Sequence, residues 1–430
     1  MRASPLARVP AILAAVGILP LVAIVLKRAV DVPYWDEWEW AELAYAAHRH
    51  TLTFTRLWQP HNEHRILVPN LLMLGLDKLG GWSPVREQLL SLALLALTQL
   101  GIWVLIRRTV PAAARGACFL AASVLLLGLA QWENLAWGFQ MAWFLCDLAV
   151  VAVVMWLTRP RASARDVILA ALAATVASLS SSQGLLAWPV GLLAIALIPR
   201  ARLPRALAWC LAGAAVVAFV RSGAPADSAG HLGFRHPAVL AEYVLAYLGS
   251  PLALSFGPAA SMLAGAVLLA WLGALAVYAA CGPLARRVRL APWLALAAYP
   301  ILSAVATASA RGAFGVAQAT ASRYTSLSAL AWIAALAATC AVVPRSARVS
   351  ALQGALVVVV LAAAIGLGSV KQSLAANYAW RLHAADLRAA RAAIGAGDPA
   401  GLARVFPEPA LAIEWLAELA QVRDGVFRER

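Results

Sequence analysis

YWDEWEW (residues 34–40) sets three carboxylates, Asp36, Glu37 and Glu39, among four aromatic rings. Such a cluster at a surface could take a proton from a sugar hydroxyl or hold a divalent cation through oxygen ligands. Neighbouring carboxylates point different ways in regular structure, so one would act as base and another as ligand or support. The plain alternative is an aromatic belt at a membrane interface with solvated acids. QPHNEHR (59–65) follows, with His61 and His64 one helical turn apart and Glu63 and Arg65 beside them. Zinc-binding HExxH helices space their histidines at i and i+4, and no third ligand is evident, so a hydrogen-bonding platform for a polar substrate fits better than a metal centre. Any metal would draw on Asp36, Glu37, His61 and His64.

More polar groups lie further along. Glu133 in QWENLAWGFQ (131–140) and Gln183 in SLSSSQG (178–184) sit where apolar runs end, and Asp147 lies inside one. Arg311 and Arg323 bracket RGAFGVAQATASR, with Tyr324 next to the second. Guanidinium groups match phosphate oxygens bidentately and stay charged. Binding to anionic lipid headgroups or to loop acids would serve the two arginines equally well.

These groups have to be positioned by something apolar. The chain is 63% hydrophobic and 13% charged, with a mean hydropathy of +0.77. That composition describes an all-α polytopic membrane protein, because in lipid each segment must satisfy its own backbone. About 11 spans are expected, at 9–26, 87–106, 116–132, 138–157, 166–180, 184–198, 206–220, 259–281, 292–309, 326–343 and 349–368. Several fall short of the ~20 residues a bilayer asks for. The formal charge of +15 is no nucleic-acid signal: the arginines fall in short loops between spans. Arg107, Arg108 and Arg115, then Arg159, Arg161 and Arg165, then Arg200, Arg202 and Arg205, then Arg286, Arg287 and Arg289, then Arg345 and Arg348 alternate as cytoplasmic loops should. This puts the N-terminus inside and the C-terminus outside. The five cysteines lie in or beside apolar runs and form no CxxC pair, which argues against disulfides and zinc.

The expected organisation is a transmembrane domain, 1–368, with outer loops 27–86 and 221–258, and a small outer helical segment, 369–430. In that segment Leu374, Tyr378, Leu382, Ala385 and Ala389 repeat at helical spacing, and GAGDP (395–399) and FPEP (406–409) break it. Residues 237–248 are expected to lie on or dip into the outer interface without crossing. All the polar stretches above then fall on one face, outside the cytoplasm.

With its first span, a long outer loop opening on an acidic cluster, many further spans and a small outer C-terminal part, the chain resembles the C-type membrane glycosyltransferases. HNEHRILVPNLL, QWENLAWGFQ and ASRYTSLS look like phrases of bacterial membrane proteins placed near that superfamily. The resemblance implies a polyprenyl-phosphate-linked sugar as donor, a glycan or lipid acceptor, and a setting among the lipids of the bacterial inner membrane. An acidic residue of the first outer loop would be catalytic base or help bind a cation such as Mg²⁺ or Mn²⁺. That role carries over to Asp36 first and Glu37 second, with Arg311 and Arg323 as candidates for the donor phosphate. Glu39, His61, Glu63, His64, Arg65, Glu133, Gln183 and Tyr324 complete the expected substrate surface. The rivals are a lipid or polysaccharide transporter or flippase, with paired halves and broken spans near the midplane, and a metal-dependent membrane hydrolase or phosphotransferase using His61, Glu63 and His64.

Overall fold

The computed structural model describes residues 9–62, 64–199, 202–222, 236–253, 256–342, 348–396 and 398–427. Among them no β-strand forms, and the helices follow one another as α1 (Val9–Arg28), α2 (Ala41–His48), α3 (Phe54–Trp58), α4 (Leu67–Lys78), α5 (Pro84–Thr109), α6 (Ala112–Leu126), α7 (Trp132–Ala136), α8 (Met141–Leu157), α9 (Ala164–Ser178), α10 (Ala187–Leu197), α11 (Arg202–Arg221), α12 (Pro237–Ala253), α13 (Pro258–Ala280), α14 (Leu284–Arg311), α15 (Val316–Ala319), α16 (Thr325–Val342), α17 (Arg348–Ala396) and α18 (Pro409–Val422). Their ends follow local chemistry. Proline opens α5, α13 and α18, where its missing N–H costs nothing. Ser163 caps α9 in a reciprocal box with Asp166.

Seven helical stretches among the described residues are long and apolar enough to cross a membrane: Pro84–Thr109, Ala112–Ala136, Gly138–Leu157, Arg202–Arg221, Pro258–Ala280, Leu284–Phe314 and Ser322–Val342. The chain is therefore membrane-embedded. The remaining expected spans also fall on helices, with 166–180 and 184–198 on the short α9 and α10. Burial sorts the helices. α16 is almost wholly enclosed, and it is rich in alanine (Ala329, Ala331, Ala334, Ala335, Ala337, Ala338), which lets α6, α12 and α14 approach closely. α11 turns Leu203, Leu207 and Leu211 outward, as a lipid-facing helix does.

The arginine loops gather against one another's helix ends. Arg108 donates to the Met155 carbonyl at 2.7 Å, Arg205 to the Ala162 carbonyl and Arg289 to the Ala341 carbonyl at 3.4 Å, while Arg159 pairs with Asp166 at 2.5 Å. Cations at helix C-termini satisfy free carbonyls and complement the helix dipole.

In the segment expected at the outer interface, α12 folds back antiparallel on α13: Pro237, Ala238, Ala241 and Glu242 are exposed, whereas Tyr243, Ala246, Tyr247 and Leu248 are buried. The hairpin is tight because Gly249 and Gly265 sit against the facing backbone, where any Cβ would meet carbonyl oxygens at 1.8 and 2.0 Å. The helical repeat of the C-terminal segment is kept, and the fold sets its phase. Leu374, Tyr378 and Leu382 are exposed, and the inward face is Ala376, Trp380, Ala384, Leu387 and Ala390. The helix ends at Ala396, within GAGDP, and α18 starts at Pro409, the last residue of FPEP.

The segment 369–430 is continuous with the last apolar run through α17 and folds over the first loop. α18 packs on α2, Tyr45 Oη donates to Gln421 at 3.0 Å, and Trp415 Nε1 donates to Glu42 at 3.1 Å.

Candidate functional site

The acidic cluster forms a tight 3₁₀ turn, Trp35–Trp40. Trp35 starts it at φ 48°, a strained left-handed conformation for a tryptophan, and its N–H donates to the Val405 carbonyl at 2.9 Å. Trp38 and Trp40 are buried. The turn therefore divides its acids: Glu39 keeps an exposed side chain, Asp36 is half-buried, and Glu37 goes inside.

HNEH is not helical. The His61 and His64 backbones exchange N–H···O bonds of 2.8 and 2.9 Å, an isolated antiparallel bridge, with Asn62 at φ 50° in the turn. The one-turn spacing expected for the two histidines is thus replaced by a hairpin-like turn, for which asparagine's tolerance of positive φ suits position 62. Glu63 lies outside the described residues.

These pieces converge with three distant segments on one cavity of about 490 Å³. Asp36, His61, Asn62 and His64 form one side, Glu133, Ser180 and Ser181 contribute from α7 and the α9–α10 link, and Arg311 and Arg323 come from the α14–α16 connection. Tyr34, Trp35, Trp137, Phe139 and Trp143 supply aromatic walls. A pocket with aromatic walls and a few convergent polar groups is the usual form of a small-molecule site.

The charges are arranged unequally. His61 stands between two carboxylates, Nδ1 3.0 Å from Glu39 and Nε2 3.5 Å from Asp36. Burial disfavours its cation, but Asp36 and Glu39 outweigh that and raise its pKa to about 9. His61 is then an imidazolium at neutral pH. Its two ring nitrogens face different carboxylates, as in a hydrogen-bonded clamp, and one ligand atom from each of Asp36, Glu39 and His61 also lies within 4.8 Å of the others, close enough for a shared cation.

Across the cavity, Glu133 accepts the Arg323 backbone N–H at 2.8 Å, and Ser322 Oγ donates to the Ala130 carbonyl at 2.8 Å, which fixes the second arginine's turn to α7. Arg311 donates to Tyr324 Oη at 3.5 Å, and the Arg323 guanidinium lies 5.5 Å from the Tyr324 ring. Neither guanidinium makes an ion pair with a carboxylate among the described residues. Glu133 lines the same cavity and its charge acts on Arg323, so the two cations are partly compensated, and their excess favours an anionic guest.

The other expected residues fall elsewhere. Glu37 is 1% exposed and meets Glu87 behind the cavity, where Gly138 leaves room: a Cβ at that position would lie 2.7 Å from Glu87 Oε2 and 2.8 Å from Glu37 Oε1. Burial pushes Glu37 up to about 7, against the pull of hydrogen bonds with Glu87 and with the Tyr34 and Phe139 backbones. It is neither in reach of the cavity nor among its possible metal ligands. Arg65 is a strut, donating to the carbonyls of Trp58, Val220 (3.3 Å) and Ser222 (2.7 Å). Gln183 bonds Thr307 at 3.1 Å and Ser303 at 2.8 Å, tying the α9–α10 link to α14 beneath the site. Tyr324 stands behind the arginines. Glu39 faces a second cavity of about 320 Å³, shared with Asp36 and His61 and walled by Glu42, Arg56, Phe406, Glu408 and Trp415.

Sequence reasoning missed Trp137, Trp143, Ser180 and Ser181. Trp137, Ser180 and Ser181 lie inside polar phrases already singled out and Trp143 just after one, but only the fold tells which side chains face the cavity. Comparison with known protein families, with curated proteins and with solved structures returns no match to this chain.

Proposed function

We propose that this protein transfers a sugar from a polyprenyl-phosphate donor to a glycan or lipid acceptor at the extracytoplasmic face of a bacterial inner membrane. In this reading eleven spans place the N-terminus inside and the C-terminus outside, and the cavity opens outward. One observation carries the reading: a single aromatic-walled cavity joins a carboxylate backed by an imidazolium, Asp36–His61, to two guanidinium groups, Arg311 and Arg323, that make no ion pair among the described residues.

The donor phosphate would sit at the arginines with its sugar along the tryptophan walls. The acceptor hydroxyl attacks the anomeric carbon as its proton passes to Asp36. The bond from that carbon to the phosphate oxygen breaks, and polyprenyl phosphate leaves with the electron pair. Arg311 and Arg323 stabilise the charge that grows there. His61 holds the Asp36 carboxylate toward the acceptor. No step is routed through a metal.

The hydrolase alternative needs His61, Glu63 and His64 around one ion, yet His61 spends both nitrogens on carboxylates. A transporter or flippase would need polar groups along a path through the bilayer, and the cavity gathers them at one end of the spans. Replacing Asp36→Asn is expected to lower transfer roughly 10²–10⁴-fold while the purified protein stays folded. Wild-type turnover by the variant, measured with a polyprenyl-phosphate sugar, would refute the assignment.

A further inference from the structure

We propose that His48, Asp77 and Asp424 form a binding site for one divalent first-row transition-metal ion, which staples the C-terminal segment to the first loop. The three residues end α2, lie in the last turn of α4 and follow α18, so nothing in their sequence spacing announces them. They meet away from both cavities described above.

Their geometry differs from that of His61 in the respect that matters. His48 presents one nitrogen to both acids: Nε2 lies 3.1 Å from Asp77 Oδ1 and 3.2 Å from Asp424 Oδ2. All three atoms fall within 4.8 Å of one another. Ligands bound at about 2.1–2.2 Å stand roughly 3.0–3.5 Å apart along the edges of an octahedron or tetrahedron, and both measured separations match.

The second observation is buried charge. Asp424 is 2% exposed and Asp77 is 4% exposed. Asp424 Oδ1 accepts the Trp82 backbone N–H at 2.9 Å, and its buried Oδ2 faces the cluster, 3.2 Å from His48 Nε2. No lysine or arginine pairs with either carboxylate among the described residues. One imidazole cannot neutralise two buried carboxylates, and a divalent ion would. The Trp82 N–H then orients Asp424 as an outer partner of the ion. His48 is about a third exposed (35%), which leaves an open side for water ligands and for entry. One nitrogen and two carboxylate oxygens suit Zn²⁺ or Mn²⁺.

The test uses the full chain in detergent, stripped with a chelator and then dialysed against Zn²⁺ or Mn²⁺. We expect one ion per chain, a rise in Tm of several degrees, and slower proteolysis within 409–427. Asp424→Asn and His48→Ala should weaken binding at least tenfold, whereas Asp36→Asn and His61→Ala should leave stoichiometry unchanged. Three results would overturn the proposal: folded wild type that takes up neither ion at micromolar concentration, unchanged affinity in Asp424→Asn, or loss of the ion in His61→Ala. If the Asp424 and His48 variants fail to fold, the uptake, Tm and proteolysis of stripped wild type still decide the question.

Discussion

Asp36 keeps about a third of its side chain accessible (32%) beside His61, whereas Glu37, the next residue, is sealed against Glu87. Their types and spacing could not tell them apart in sequence. The left-handed Trp35 and the 3₁₀ turn decide which acid reaches the cavity. The consequence for Glu37 has a definite sign. Its folded pKa of about 7 lies above the ordinary 4.5, so the stability it contributes is complete below pH 4.5 and is lost as pH rises through 7. Glu37→Gln should therefore flatten that stretch of the pH–stability curve and raise stability at pH 8 by about 1–3 kcal/mol. Thermal melts from pH 4 to 9 would show it, and a variant curve parallel to wild type would count against the buried-carboxyl account.

At the level of elements, the sequence disclosed most of what lipid imposes. Apolar runs long enough to span gave helices, and GAGDP and FPEP marked breaks the structure keeps. What stayed hidden depends on neighbours. The inward face of α17, which carries Trp380 and Leu387 among alanines, is set by the neighbours it meets, and α12 packs on α13 through glycine contacts made only in the fold. The roof formed by α18 was equally hidden. Trp415 is 4% exposed, packs on Phe406 at 5.4 Å and donates to Glu42. Trp415→Ala should cost about 3–5 kcal/mol, and it should speed hydrogen exchange in 409–422 and in 41–48 together. Faster exchange in α18 alone would mean that the roof and the first loop are not coupled.

For the whole molecule, the arginine loops gather at one end of the spans and the cavity at the other. The sidedness proposed above follows from the arginines. Cys281, exposed at the end of α13 just before Arg286, should resist a membrane-impermeant thiol reagent in intact cells and react after permeabilisation. An Asn62→Cys variant should react in intact cells. The reverse pattern would invert the topology and put the cavity in the cytoplasm.

The contact between Trp82 and Asp424 joins positions 342 residues apart in the chain. At roughly 5–20 residues per second, a ribosome needs some twenty seconds to a minute to travel from one to the other. For that interval Trp82 lacks the carboxylate that accepts its N–H and the Gly425 backbone that lies against its ring. Completing the fold is thus a late event in biosynthesis. A chain that stalls before its final helix offers surveillance proteases a first loop lacking those contacts in place of a finished site.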